Sequence, residues 1–437
     1  MDKLPGATES EQLNSLVKAI SGEVQESVEY AIEFFSAKFA DAELTPHQRE
    51  NELSQILIEE INRTLINCLS ADYPHLLQAE VDSNPRHEAS WFVGGVKPPN
   101  SIRKLREGCE WLKDNADAPV DRAVFYKGSP YLTLRHKHIL PAIISQEEFI
   151  SIEKAKSVPV YEFDARSLGY STDYKHMTNI PGYWPGSKNK FGLVSFQKRD
   201  HTLLKSNSSW KPEDFDEALH SQGILSSFAW TLAQACYQGF TTYNDLTYPI
   251  NTQTVITNGQ DWSFYQFQLN TTIVHLTEFE NNPKTNNCWG TGQLKLYEGI
   301  ENGKLVGFNE EVLKHLVKIY TNTPKERNFN LTPFLGDRER NVADIPEQER
   351  REFLEHTFKH LCSNRPRHLA LPEIYNWEKI YKIDHKQRAM EPKRRFFERG
   401  VNPWSRTLDQ HCPDYIPKVI RPGGVKSRNK FKKHYYP

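Results

Sequence analysis

The sequence predicts an α+β protein: a mixed helix and sheet core, with a helical region before it and an extended basic tail after it. Three observations predict this. Apolar residues near the N-terminus recur at helical spacing, the centre of the chain joins a helix-forming run to β-rich runs around an Asn-Gly pair, and the residues from Lys382 onward hold few aliphatics. From Glu11 to about Lys38, Leu13, Leu16, Val17, Ile20, Val24, Val28, Ala31 and Phe34 fall mostly three and four apart, the period of one helix face. Thr45-Pro46 then opens a second predicted helix that runs to about Leu69, and residues 1–85 read as an acidic helical region.

Residues 86–325 read as the α+β core. Trp91-Phe92-Val93, Ala123-Val124-Phe125-Tyr126 and Tyr131-Leu132-Thr133-Leu134 are short β-like runs, with a helix predicted from Ser101 to Leu112 between them. Phe228 to Gln238 favours a helix, and Gly239 supplies the positive φ at which a helix commonly ends. Gln253–Thr257 and Trp262–Leu269 flank Asn258-Gly259, a pair suited to a tight hairpin turn. Gly307-Phe308-Asn309 leads into a further helix through Lys318. Residues 326–381 read as a helical extension, with a helix from about Glu347 to Cys362, and residues 382–437 as a Pro-containing tail.

The chain has 437 residues, 38% of them hydrophobic in the wide sense, with a mean hydropathy of -0.68. No apolar run is long enough to cross a bilayer as a helix, so the reading is of a soluble chain. Cys68, Cys109, Cys236, Cys288, Cys362 and Cys412 show no paired spacing, which favours free thiols in a reducing compartment over a disulfide framework. A net charge of -1 conceals an asymmetry: residues 1–80 hold fifteen acidic and five basic residues, and residues 382–437 the reverse. The two ends therefore suit different neighbours.

The tail carries the strongest chemical signal. Lys393, Arg394, Arg395 and Arg399 surround Phe396 and Phe397, and Lys418, Arg421, Lys426, Arg428, Lys430, Lys432 and Lys433 follow with no acid among them. Cations neutralise phosphate and release counterions, Arg can fork onto phosphate, and the rings can stack on unpaired bases, so RNA is the favoured partner. An acidic protein, an anionic membrane surface and solvent are the alternatives. The turn-rich run Pro181 to Lys190 mixes aromatics with lysines and is read as a surface loop or a second RNA contact.

Catalytic motifs are weak. His356 and His360 stand at metal-ligand spacing, but Thr357 occupies the position where a zincin needs Glu. His136 and His138 share a strand face without a third ligand. Gly290-Thr291-Gly292 lacks the rest of a dinucleotide fingerprint, and Cys288 has no neighbouring base in sequence, so it reads as a structural thiol. Rings on both faces of the second hairpin strand, Trp262 and Phe264 on one and Tyr265 and Phe267 on the other, together with Trp289, mark a candidate protein interface.

The order of helix, hairpin, Gln268-Leu269-Asn270-Thr271, Asn282-Pro283-Lys284 and Cys288-Trp289-Gly290-Thr291 resembles a mitochondrial ribosomal protein family. That family is called S thirty, or programmed cell death protein nine, and is now counted with the large subunit. The resemblance is dense from about Phe228 to Pro324 and sparser back to Trp91. It implies a non-catalytic structural role without a cofactor or small-molecule substrate, contact with large-subunit rRNA and other mitoribosomal proteins, and pairing with a sister large-subunit protein, the thirty-seventh. It also implies the mitochondrial matrix. Met1 to Gln48 contains no Arg, unlike a presequence, and the numbering is read as starting after a removed presequence or at a start that is not the natural one. The alternative function is a soluble RNA-processing enzyme or a free RNA-binding regulator.

Overall fold

The computed structural model describes residues 10–145, 179–183, 187–199, 212–240, 245–274, 282–301, 303–329 and 331. Two helices open it, α1 (Ser10–Lys38) and α2 (Pro46–Leu69). In α1 the buried residues are Leu13, Val17, Ile20, Val24, Val28, Ala31 and Phe35, a strict three-and-four spacing. The stripe therefore ends on Phe35, and Phe34 points outward, 43% exposed. At the start of α2, Thr45 Oγ1 accepts from the Gln48 N–H at 3.3 Å and the Gln48 carboxamide accepts from the Thr45 N–H at 3.1 Å. With Pro46 in the first turn, this capping box satisfies donors that a helix start otherwise leaves open. Arg49 lies over the Phe35 ring and the Cys68 thiol donates to Glu23, so the two helices run antiparallel.

The remaining elements build a sheet and its covers. After the short α3 (His75–Gln78) come β1 (Glu80–Ser83), β2 (His87–Val96), α4 (Asn100–Glu107), β3 (Val120–Gly128), β4 (Leu132–His136) and β5 (Phe191–Lys198). Then follow α5 (Pro212–Gln238), β6 (Ile250–Thr257), β7 (Asp261–Leu269), β8 (Asn287–Gly290), β9 (Leu294–Lys295), β10 (Gly299–Glu301), β11 (Lys304–Val306) and α6 (Glu310–Thr321). The main sheet runs β1-β4-β5-β6-β7-β8, with β9 also on β7. Its pairs are antiparallel except β5 with β6, which are parallel and joined through α5. A parallel neighbour requires such a crossover. The pairs β2–β3 and β10–β11 form separate ribbons.

Several sequence expectations change in detail. The central helix begins at Pro212, well before Phe228, and ends as expected at Gly239, whose φ is +101°. There Phe240 N–H donates to Ala235 O and Gly239 N–H to Cys236 O, both at 3.0 Å, a Schellman ending. The helix expected over Ser101–Leu112 stops at Glu107, and a 3-10 turn follows at Lys113–Asn115. The hairpin turn centres on Gly259-Gln260 instead of Asn258-Gly259. Gly259 has φ +90°, and the Asn258 side chain braces the turn by accepting from Gln260 N–H at 3.2 Å and Asp261 N–H at 2.7 Å. Strand β5 is not apparent in the sequence because seven of its eight residues are buried and it shows no polar-apolar alternation.

Both sheet faces are sealed. On one, Leu134, Val194, Phe196, Val255, Trp262 and Phe264 share a core with α1, α2 and α6; α2 meets the sheet at the Gly259 turn through Leu57, and α1 packs on α2 and α6. On the other, Phe191, Ile250, Phe267 and Leu269 meet Phe228, Ala229 and Leu232 of α5 and Trp91, Val124 and Tyr126 from the base of the β2–β3 ribbon. The layers approach tightly where glycine allows it: a Cβ at Gly192 would run into Trp230, and one at Gly259 would stand 2.8 Å from Leu57 of α2. Hydrogen bonds join the layers as well, with Tyr320 of α6 donating to Asn62 of α2 at 2.7 Å. Replacing the fully buried Trp262 with Ala should lower unfolding free energy in a urea titration by about 3 to 5 kcal/mol. The same change at half-buried Trp289 should cost clearly less.

Candidate functional site

The segment that follows α5 is rich in carboxamides, and their hydrogen bonds show what they do. Gln253 of β6 donates to Leu193 O at 3.2 Å and Ile319 O at 3.1 Å, and it accepts from Gln266 at 3.3 Å and Asn322 at 3.0 Å. One side chain thereby ties two strands to the end of α6. Gln268 pairs with backbone in the manner of a strand, accepting from Ile143 N–H at 2.8 Å and Ile144 N–H at 3.0 Å and donating to Ile144 O at 3.1 Å. Beyond β7, Asn286 accepts from the N–H groups of Asn270 at 2.8 Å and Thr271 at 3.0 Å, while Asn282 accepts from Lys284 N–H at 3.0 Å. Lys284 reaches Asp245 at 3.3 Å and Leu246 O at 2.9 Å, and Asp245 also accepts from Thr271 and Thr272. Buried amides cost stability unless paired, and Gln253, Gln268, Asn282 and Asn286 are paired into braces that fix strand and loop geometry.

The aromatic residues expected at a protein interface divide between core and edge. Trp262 and Phe264 are fully enclosed on the α1/α2/α6 side, and Tyr265 and Phe267, 1% and 3% exposed, lie on the α5 side. They are core residues in this chain, because helices of the same chain cover both faces of β7. Trp289 is half-buried on β8, opposite Gln266, and β8 ends the sheet among the described residues. The accessible part of the expected interface is therefore the β8 edge.

A second polar centre has no counterpart among the sequence expectations. Arg135 of β4, fully buried, bonds Asp82 at 2.6 Å and Glu80 at 3.0 Å from β1, and its guanidinium lies 4.7 Å from the centre of the Tyr183 ring. It also reaches Ser187 and the Asn189 carbonyl, pinning the described part of the Pro181–Lys190 run to the sheet. Burial opposes the Arg135 charge, but the Asp82 and Glu80 carboxylates outweigh it and hold its pKa above the ordinary value. Nearby, Arg86 and Glu88 pair at 2.8 Å with both side chains 2% exposed. The available signal is the charge alternation in Glu80 and Asp82, which reads equally well as an exposed strand face.

In the loop read as a candidate RNA contact, Tyr183 is buried, its hydroxyl donating to Lys190 O at 2.6 Å, while Lys188 is exposed. The strongest basic candidates, Lys393 through Lys433, and the His356/His360 pair lie outside the described residues. His136 is buried beside His138, and among the described residues no group of three or more His, Cys, Asp or Glu side chains could hold a metal ion. Burial pushes the thiols of Cys68, Cys236 and Cys288 up to about 12, far from the range of a nucleophile at neutral pH. The arrangement holds shape through paired amides and buried ion pairs.

A family model described as Mitochondrial 28S ribosomal protein S30 (PDCD9) matches residues 2–324. Every described helix and strand, from α1 through α6, falls within that span.

The buried histidines give the fold an acid-sensitive component. His87 stacks on Trp230 at 5.3 Å, and neither of its ring nitrogens has a hydrogen-bond partner among the described residues. Burial, with Arg135 nearby, lowers its pKa to about 3, and burial lowers that of His136 to about 4. The unfolded chain takes up these protons below about 6.5, whereas the folded chain resists them. Their contribution is therefore intact above about 6.5 and is lost as pH falls toward 4 and then 3. Thermal melts should show Tm dropping through that window, and His87→Phe, which keeps the stack, should flatten the drop.

Proposed function

The chain belongs to the mitochondrial ribosomal protein S30 family, and from that premise we propose that it is a non-catalytic constituent of the large mitoribosomal subunit in the mitochondrial matrix. The observation that carries the structural role is the extent of the match: it takes in every described helix and strand, so the family relation applies to the α+β architecture rather than to one motif. The internal chemistry agrees with a part that holds its form. Both faces of the sheet are filled by the chain itself, and the carboxamides that carry the resemblance are spent on bracing loops.

The family description carries the small-subunit designation 28S. The large-subunit assignment rests on the resemblance seen between Phe228 and Pro324. Within that subunit the basic tail, including Lys393, Arg394, Arg395, Arg399 and the cations from Lys418 to Lys433, lies on rRNA phosphate. The β8 edge with Trp289 faces a protein, and the favoured occupant is the sister protein, the thirty-seventh of the large subunit. β8 is the last strand of the main sheet among the described residues, the position at which a partner can add a strand, and the half-buried Trp289 adds apolar area for it.

Sedimentation of the tagged full chain through a gradient that preserves ribosomes tests the assignment. Co-migration with large subunits is expected; co-migration with small subunits would overturn the subunit, and recovery at the top of the gradient would overturn the ribosomal role. Deleting residues 418–437 should weaken binding to large-subunit rRNA and make the salt dependence shallower, by about 0.7 to 0.9 in log–log slope for each phosphate no longer neutralised. An unchanged slope would place the tail on protein.

A further inference from the structure

The β2–β3 ribbon packs at its base and leads into an exposed helix. Trp91, paired with Val124, meets Phe228 of α5 edge-on at 5.0 Å, and the ribbon then continues to the Val96–Val120 pair before the chain enters α4. Helix α4 buries none of its side chains. Helices this short are not stable alone in water and ordinarily depend on packing of an apolar face. Ile102 and Leu105, three residues apart on one helix face, are 36% and 67% exposed, and Trp111 just beyond is 81% exposed. Three of the large exposed apolar side chains thus gather within ten residues.

The tip is nevertheless held in shape. Arg103 bonds Glu107 at 3.0 Å and Asp117 at 3.2 Å, and Arg106 reaches the carbonyl of Asn115 at 3.2 Å. These ties join the helix to the returning limb, where Ala116 is the buried side chain among residues 107–118. A preorganised apolar projection loses less entropy on binding than a floppy one.

Charge identifies the kind of surface that fits. Residues 97–106 carry four cations and no acid, whereas residues 107–118 carry four acids and one cation. Phosphate would meet the acidic limb next to Trp111, so RNA is the poorer occupant. An apolar centre with a rim of both charges is the anatomy of a protein interface, and Trp is a frequent anchor there. We propose that this tip, with Ile102, Leu105 and Trp111 as anchors, docks into an apolar groove of a neighbouring protein whose rim is acidic opposite residues 97–106 and basic opposite residues 107–118. The inference rests on the ribosomal reading for the presence of such a neighbour.

The test uses the full chain in assembled subunits, with a photo-crosslinking residue in place of Leu105 in one preparation and Trp111 in another. Crosslinks to a different protein are expected; crosslinks only to rRNA, only to a second copy, or to nothing would overturn the proposal. Leu105→Ser with Trp111→Ser should leave the melting of the isolated chain unchanged while reducing its recovery with subunits about tenfold. Undiminished recovery would also overturn it. If the unsubstituted chain fails to co-sediment at all, the ribosomal reading falls and takes this proposal with it; normal co-sedimentation without crosslinks defeats the docking alone.

Discussion

Burial of both faces of one sheet is the constraint on which the other features depend. Strand β7 places Trp262 and Phe264 against one helical layer and Tyr265 and Phe267 against another, and the first of these layers draws on helices from the N-terminal end of the chain. A sheet covered on both sides cannot relieve a misfit by turning a side chain to water. It explains glycine at Gly192, under Trp230, and at Gly259, against Leu57, where a larger residue would collide with a packed side chain. It also explains why polar residues in the strands must find partners within the protein, as Gln253 does with four hydrogen bonds.

The N-terminal helices are legible because their signals are local. Apolar spacing locates α1, and Thr45-Pro46 locates the start of α2 to the residue. The placing of Phe34 in the stripe fails by one position because adjacent phenylalanines are equivalent in composition and only the packed register distinguishes Phe35. The β6–β7 hairpin is legible for the same local reason, though the turn lies one residue later. What is not legible depends on distant pairing. Nothing near Phe191–Lys198 announces that it will lie parallel to β6, and nothing near Arg135 announces Asp82 and Glu80, more than fifty residues away.

The candidate site divides in the same way. The motif-bearing asparagines and Lys284 are recognisable in sequence, but their purpose becomes visible only as hydrogen bonds converging on Asp245, Asn270 and Thr271. Rings on both faces of β7 suggest a partner protein. A second layer of the same chain meets that requirement instead, since periodicity registers that a face is apolar and is silent about what covers it. The α4 tip shows the reverse case: its apolar residues are few and its charges many, so composition alone conceals how openly Trp111 stands.

The contact between the Gly259 turn and Leu57 of α2 also bears on the order in which the molecule is made. The ribosome synthesising this chain releases the acidic helices first, whereas the strands and the helix that cover their apolar stripe emerge only afterwards, β4 soonest and α6 last. Until β4 emerges, Val24, Val28, Leu57 and Leu65, all fully buried in the finished fold, lack the sheet that will shelter them. The net acidity of the segment then acts as a temporary solubiliser, keeping nascent chains apart by repulsion until α6 arrives and Tyr320 closes onto Asn62.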